Sequence, residues 1–148
     1  MNEILAGIAD LVFPPRCVAC DALLERRDPL PFCPTCTEGI HFIRSPLCPR
    51  CGVPFPSTEG EDHLCGDCIA SERPYAVARS VGRYEGALLT AIHRFKYRGR
   101  TGIGEVLGAI MAGFAGEIWD MKAFDRIVPV PLHRKRLRER GFNQAVIL

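Results

Sequence analysis

The sequence predicts two unlike parts: a small cysteine-stapled module in the first half, then a partial α/β unit with a parallel sheet. Three observations carry this reading. All eight cysteines lie between Cys17 and Cys68, and none follow. Charge divides the same way: residues 1–72 hold 5 Lys/Arg against 11 Asp/Glu, a net of −6, while residues 73–148 hold 14 against 6, a net of +8. Beyond residue 73 the apolar pattern reads strand, helix, helix, strand, helix, an order that suits helices packed on a parallel sheet. Overall composition excludes little, since the charged and apolar fractions are those of an ordinary globular chain. The asymmetry points to an acidic module beside an anion-binding one.

At the N-terminus Ile4, Leu5, Ile8, Leu11 and Val12 share one face at helical spacing, and Pro14-Pro15 ends the run. The opposite face lacks the lysines and arginines that favour anionic lipid, so a helix docking on its own protein is expected rather than a membrane anchor. No basic leader with a cleavage site precedes the cysteines. No apolar run reads as the roughly 20 residues of a membrane span. A cytoplasmic protein with reduced thiols is therefore expected.

The cysteines fall in four Cys-x-x-Cys turns: Cys17 and Cys20, Cys33 and Cys36, Cys48 and Cys51, Cys65 and Cys68. Each turn presents two thiolates on one side of a tight loop, and two turns complete a tetrahedron around zinc. Residues 17–68 are rich in Pro and Gly and too poor in large apolar side chains to fold without such a staple. A disulfide framework would need an oxidising compartment, and a redox dithiol would not need four copies. Sequential pairing, the first turn with the second and the third with the fourth, is favoured; a cross-brace would pair the first turn with the third. His63 is an alternative ligand, expected instead to be a loop histidine. Sites ligated by four cysteines leave no open position, so two structural zinc ions are expected.

Ser71 to Pro74 reads as the boundary, giving modules of residues 1–72 and 73–148. Tyr75 to Tyr84 is the first expected strand. Leu88, Ala91, Ile92 and Phe95 form one helical stripe, stopped near Gly99, and Ile103, Val106, Leu107, Ile110, Met111 and Phe114 form another. Arg126 to Pro131 is the second expected strand, its prolines suited to an end because they donate no ladder hydrogen bond. Asn143 is a good N-cap for a last helix. Cations crowd two places, His93 to Arg100 and His133 to Arg140. The first run lies at a helix C-terminus, where the macrodipole favours cations. The second, between Pro131 and Gly141, is read as a loop following a strand, where α/β sheets place ligands and where arginine forks suit phosphate oxygens. A phosphorylated small molecule and a nucleic-acid backbone both fit such a patch.

Taken together, Pro14-Pro15-x-Cys17-x-x-Cys20, the paired Cys-x-x-Cys turns, Tyr84-Glu85-Gly86, Phe95-Lys96-Tyr97-Arg98-Gly99-Arg100, and Val128-Pro129-Val130-Pro131 through Arg140-Gly141-Phe142-Asn143-Gln144 resemble the ComF family. These are bacterial competence-associated proteins with a double zinc ribbon and a type I phosphoribosyltransferase-like domain. The resemblance implies a role in DNA uptake and transformation, and a loop that cradles the pyrophosphate of phosphoribosyl pyrophosphate. On that analogy Leu132, His133, Arg134, Lys135 and Arg136 supply the loop, and Lys96 and Arg98 approach the same group. Magnesium would accompany phosphoribosyl pyrophosphate in a full-length protein. The partners implied are this ligand or another phosphate, with single-stranded DNA or competence-machinery proteins as alternatives; the rival function is a zinc-ribbon module that binds nucleic acid or docks proteins. The family's ribose-phosphate loop, an acidic pair before a Thr-Thr-Gly-type turn, has no match in the sequence. A C-terminally truncated chain, inactive as a transferase on its own, is thus expected, and no catalytic residue is assigned.

Overall fold

The computed structural model describes residues 14–24 and 30–148. The expected N-terminal helix of Ile4 to Val12 lies outside them. The described residues form helices α1 (Pro34–Glu38), α2 (Gly66–Ala70), α3 (Gly86–Tyr97), α4 (Thr101–Ile118), α5 (Arg134–Arg140) and α6 (Gln144–Ile147), with a single 3-10 turn at Met121–Ala123.

Contacts group the chain into two units. In the first, the described residues up to Ile40 join Tyr84–Leu148; the second is His41–Arg83. This division differs from the boundary expected at Ser71 to Pro74. The reason is visible in the first unit's core, where Cys17, Ala19, Phe32 and Ile40 are buried together with Ala91, Phe95, Ile103 and Leu107. The first cysteine module has too little apolar surface to close a core alone, so it shares one with α3 and α4. In the second unit Leu47, Cys48 and Cys68 are buried.

Both expected helices form; the first stripe packs as its periodicity predicts, whereas of the second Ile103 and Leu107 are buried and Met111 is 46% exposed. Helix α3 buries Ala91 and Phe95, ends at Arg98, and turns through Gly99 at φ 64°, a left-handed conformation that glycine adopts without penalty. Helix α4 then buries Ile103, Gly104, Leu107 and Gly108 and packs on both α3 and α6. Its glycines permit the approach: a Cβ at Gly104 would stand 2.5 Å from the Phe95 ring and 2.7 Å from Ile147. Among the described residues α4 is the one helix long and apolar enough to cross a membrane, by 18 residues and a mean hydropathy of 1.2.

The expected parallel sheet is absent among the described residues, where β-pairing is limited to isolated bridges at Arg16–Leu23, Phe42–Gly82 and Leu47–Pro54. Tyr75 to Tyr84 forms no strand. It is held by separate backbone bonds, Ala78 N–H to the Arg50 carbonyl at 2.7 Å and Arg83 N–H to the His41 carbonyl at 2.9 Å. Arg126 to Pro131 runs without regular structure, with Ile127, Val128 and Val130 exposed by 84%, 78% and 74%. An apolar β-branched run favours an extended backbone, but a strand exists only when a neighbour takes its N–H and C=O groups. Here the Asn143 side-chain amide donates to the Val130 carbonyl at 3.2 Å.

Two cysteine tetrads and a cationic cavity

Each tetrad is built from one knuckle and one short helix. In the first, the chain turns at Cys17 to Cys20, with Cys17 N–H bonded to the Ala22 carbonyl at 2.8 Å and Asp21 N–H returning to Cys17 at 2.9 Å. Cys33 caps α1, whose Pro34 stands at the first helical position, where a missing N–H costs nothing. Cys36 follows one turn on. The second tetrad repeats the plan: Gly52 N–H returns to the Cys48 carbonyl at 2.8 Å, and Cys65 caps α2, which carries Cys68. Gly52 holds φ 73°, and a Cβ there would lie 2.6 Å from the Ala78 carbonyl, so the turn needs glycine twice over.

Within each set, Cys17, Cys20, Cys33, Cys36 and Cys48, Cys51, Cys65, Cys68, the four sulfurs lie within 4.8 Å of one another. Pairing is therefore sequential. All eight are free thiols. The Cys20–Cys33 and Cys51–Cys65 sulfur separations are 3.6 and 3.7 Å, close to the ~3.8 Å edge of a tetrahedron with Zn–S bonds of ~2.3 Å. His63 is not a ligand: it stacks on Phe55 with centroids 4.0 Å apart, its Nδ1 3.0 Å from the Glu61 carbonyl oxygen.

The thiols respond in opposite directions within each tetrad. Burial opposes the Cys17 thiolate, but N–H groups of Cys20, Cys33 and Ala19 outweigh it and lower the thiol to about 6. Cys48 is likewise lowered to about 6, burial being overcome by N–H groups at Cys51, Cys65 and Arg50. Burial and then the neighbouring thiols push Cys36 up. Cys51, favoured by the Val53 N–H, is nonetheless raised to about 11 by burial and its three partners. Four sulfurs this close cannot all ionise without a cation among them, and a divalent metal supplies it. The residues fit two structural zinc ions, closed to substrate because every ligand is protein. Arg73 adds an outer contact that sequence reasoning missed: the Cys68 thiolate stabilises its guanidinium, and Asp67 lies 3.7 Å away.

Asp21, directly after Cys20, has φ 65°, a conformation that only Asn, Asp and Gly adopt with any ease. Its carboxylate accepts from Arg94 at 2.6 Å and from Arg100 at 2.8 Å. These two guanidiniums, Arg94 first, hold its carboxyl below the ordinary value of 3.8. The stabilisation is fully present above that value and is lost as pH falls through the lowered one.

The second basic run is a helix, not the expected loop. The His133 ring caps α5, accepting the Lys135 N–H at 3.3 Å, and Gly141 ends it in the left-handed region at φ 83°. Between those caps Arg-Lys-Arg-Leu-Arg-Glu-Arg consists of strong helix formers. Helical winding selects which cations converge. A cavity of about 280 Å³ is lined by Lys96, Tyr97, Gly99, Arg136, Glu139 and Arg140. Of the residues expected to meet phosphate, Lys96 and Arg136 line it; Arg98, Leu132, His133, Arg134 and Lys135 do not. Arg140 was not anticipated, although its spacing of four from Arg136 puts both on one helical face. Its guanidinium stands 5.2 Å from the Tyr97 ring centre and also donates to Gln144. Beside the cavity runs a row of rings, Tyr84 to His93 at 6.0 Å and His93 to Tyr97 at 5.5 Å, with the Lys96 ammonium 5.8 Å from the Tyr84 ring centre.

Comparison with known proteins matches a double zinc ribbon domain over residues 8–69. The chain is 30% identical to competence protein ComFC of Bacillus subtilis, over 99% of this chain and 64% of the relative. It is 32% identical to DNA utilization protein YhgH of Escherichia coli K12, over 78% of this chain and 51% of the relative. Competence protein F of Haemophilus influenzae is 27% identical, over 78% and 56%. The chain thus spans between 51% and 64% of the length of these curated relatives. No solved structure matches it. Similarity to competence proteins extends from the matched double zinc ribbon into the helices beyond it, so the resemblance to the ComF family spans the cysteine tetrads and the helical part alike.

Proposed function

We propose that this protein serves DNA uptake or utilization, as the names of its relatives suggest, that it works in the cytoplasm, where its thiols stay reduced, and that it binds a phosphate-bearing ligand in the cavity between α3 and α5. The observation that carries the binding reading is the convergence of Lys96, Arg136 and Arg140 on one cavity with a single opposing carboxylate, Glu139. Arginine forks and a lysine ammonium satisfy several phosphate oxygens at once. At about 280 Å³ the space is at the small end of ligand sites, suited to a phosphate or pyrophosphate group rather than a whole nucleotide. Phosphoribosyl pyrophosphate, the ligand implied by family resemblance, would place its pyrophosphate here, with magnesium sharing its charge. Titration calorimetry with magnesium pyrophosphate tests the binding reading. Arg136→Ala and Arg140→Ala are each expected to weaken binding about 10- to 100-fold, the loss of a charge-assisted contact worth ~1.5–3 kcal/mol. Equal affinity in wild type and both variants would exclude the cavity.

A second reading is favoured by the Tyr84–His93–Tyr97 row, whose two tyrosines are 56% and 64% exposed among cations. Aromatic faces interleaved with Lys and Arg are a stacking platform for single-stranded nucleic acid. Tyr97→Ala should weaken binding of a fluorescent oligothymidylate by ~1–3 kcal/mol, and affinity should fall steeply with salt. A Tyr97→Ala variant that binds as wild type does would remove this reading.

A further inference from the structure

The cavity residues Lys96 and Tyr97 end α3 and Gly99 stands in the turn to α4, and this junction is spanned from outside by one carboxylate. Asp21 Oδ2 accepts from Arg94 at 2.6 Å, on the α3 side, and Oδ1 accepts from Arg100 at 2.8 Å, at the start of α4. Arg94 also donates to the Val18 carbonyl at 3.5 Å, and Arg16 donates to the Asp21 carbonyl at 3.1 Å. Asp21 itself is held in the left-handed region by the knuckle that carries Cys17 and Cys20, its N–H bonded to the Cys17 carbonyl at 2.9 Å. The first metal knuckle thus closes a clip around the segment that presents half of the cavity. The Arg94 side chain is only 15% exposed, so one jaw of the clip is well shielded from solvent and firmly placed.

We infer that Asp21 is a positioning residue for the cavity: by bridging Arg94 and Arg100 it holds the turn in the shape that directs Lys96 toward a bound phosphate group. This rests on the phosphate-binding reading above. The sign of its effect separates positioning from simple electrostatics. Removing a negative charge near a cationic site, and releasing two guanidiniums, should tighten anion binding if Asp21 acts only through its field. If it acts by holding the turn, binding weakens instead.

The test uses the full chain loaded with zinc, with magnesium pyrophosphate as the probe and Asp21→Asn as the variant. Asparagine keeps the size and tolerates the left-handed backbone, so the knuckle is left intact. Expected are two zinc equivalents retained, affinity lowered at least about fivefold, the lower end of typical couplings between sites, and faster hydrogen exchange at the amides that close the turn. Those amides are Arg98 N–H to the Arg94 carbonyl, Thr101 N–H to Gly99, and Ile103 N–H to Arg100. Unchanged or tighter affinity in Asp21→Asn overturns the proposal. Should Asp21→Asn release zinc, Arg100→Gln opens the clip without touching the knuckle, and the test is a zinc-retaining Arg100→Gln chain with the same two readouts; normal exchange at the three amides then overturns the proposal. If wild type itself binds no pyrophosphate, the cavity reading fails separately. Exchange in Asp21→Asn then decides the clip: acceleration at the three amides upholds the bridge as what holds the turn, and unchanged exchange overturns it.

Discussion

Withdrawing zinc with a strong chelator is expected to unfold the ribbons and to remove much of the α3–α4 helical signal with them. A structural four-cysteine site contributes on the order of 10–16 kcal/mol at neutral pH, as much as or more than the ~5–15 kcal/mol net stability of an ordinary domain. The two sites should fail differently. Cys17 is fully buried in the core that also contains Ala91, Phe95, Ile103 and Leu107, so Cys17→Ser should lower both zinc content and helical circular dichroism. Cys48 is equally buried, but in the His41–Arg83 unit. Cys48→Ser should drop zinc from two equivalents to one while the helical signal of α3 and α4 persists. A chelated chain that keeps its full helical signal would contradict this account. Acid should act in the same direction as the chelator, since protons compete with metal for thiolate.

Phe95→Ala is the second large expected effect, a loss of ~3–5 kcal/mol. Phe95 is 1% exposed and its ring lies 5.4 Å from that of Phe142. The bare backbone of Gly104 allows α4 to sit flush against it, as the 2.5 Å approach of a hypothetical Cβ shows. Truncation would leave a void with no neighbour able to move in, since both helices are held by other contacts. The expected result is a urea midpoint shifted far to lower concentration with unchanged zinc stoichiometry in the folded chain. A shift corresponding to less than ~1 kcal/mol would mean that the ring does not anchor α3 to α4.

Much of the metal site was legible without a structure. Four Cys-x-x-Cys turns specify thiolate pairs through local backbone geometry alone, and local geometry is what a sequence states most directly. The same holds for α3 and α4, whose stripes at Leu88, Ala91, Ile92 and Phe95 and at Ile103 and Leu107 reappear as packed faces. The basic run after Pro131 was misread because proline and glycine bracket a short helix as well as they bracket a loop. What distinguishes the two is the His133 cap and the left-handed Gly141, and the histidine was counted as a charge rather than as an acceptor. The strand at Arg126 to Pro131 failed for a different reason: apolar β-branched residues favour extension, but the ladder that makes a strand belongs to its neighbour.

By itself, then, the sequence determined the ligand chemistry, the number of metal sites and the two long helices, because each depends on residues within one or two turns of one another. Only the tertiary structure decided which cysteine turns pair, that the first tetrad shares its core with α3 and α4, and that Asp21 reaches Arg94 and Arg100 across more than 70 residues of chain. It also decided that Lys96 meets Arg136 and Arg140 while Arg98 and Arg134 do not. These are contacts between segments far apart in sequence, set by which apolar faces must be buried against each other, and no local pattern encodes them.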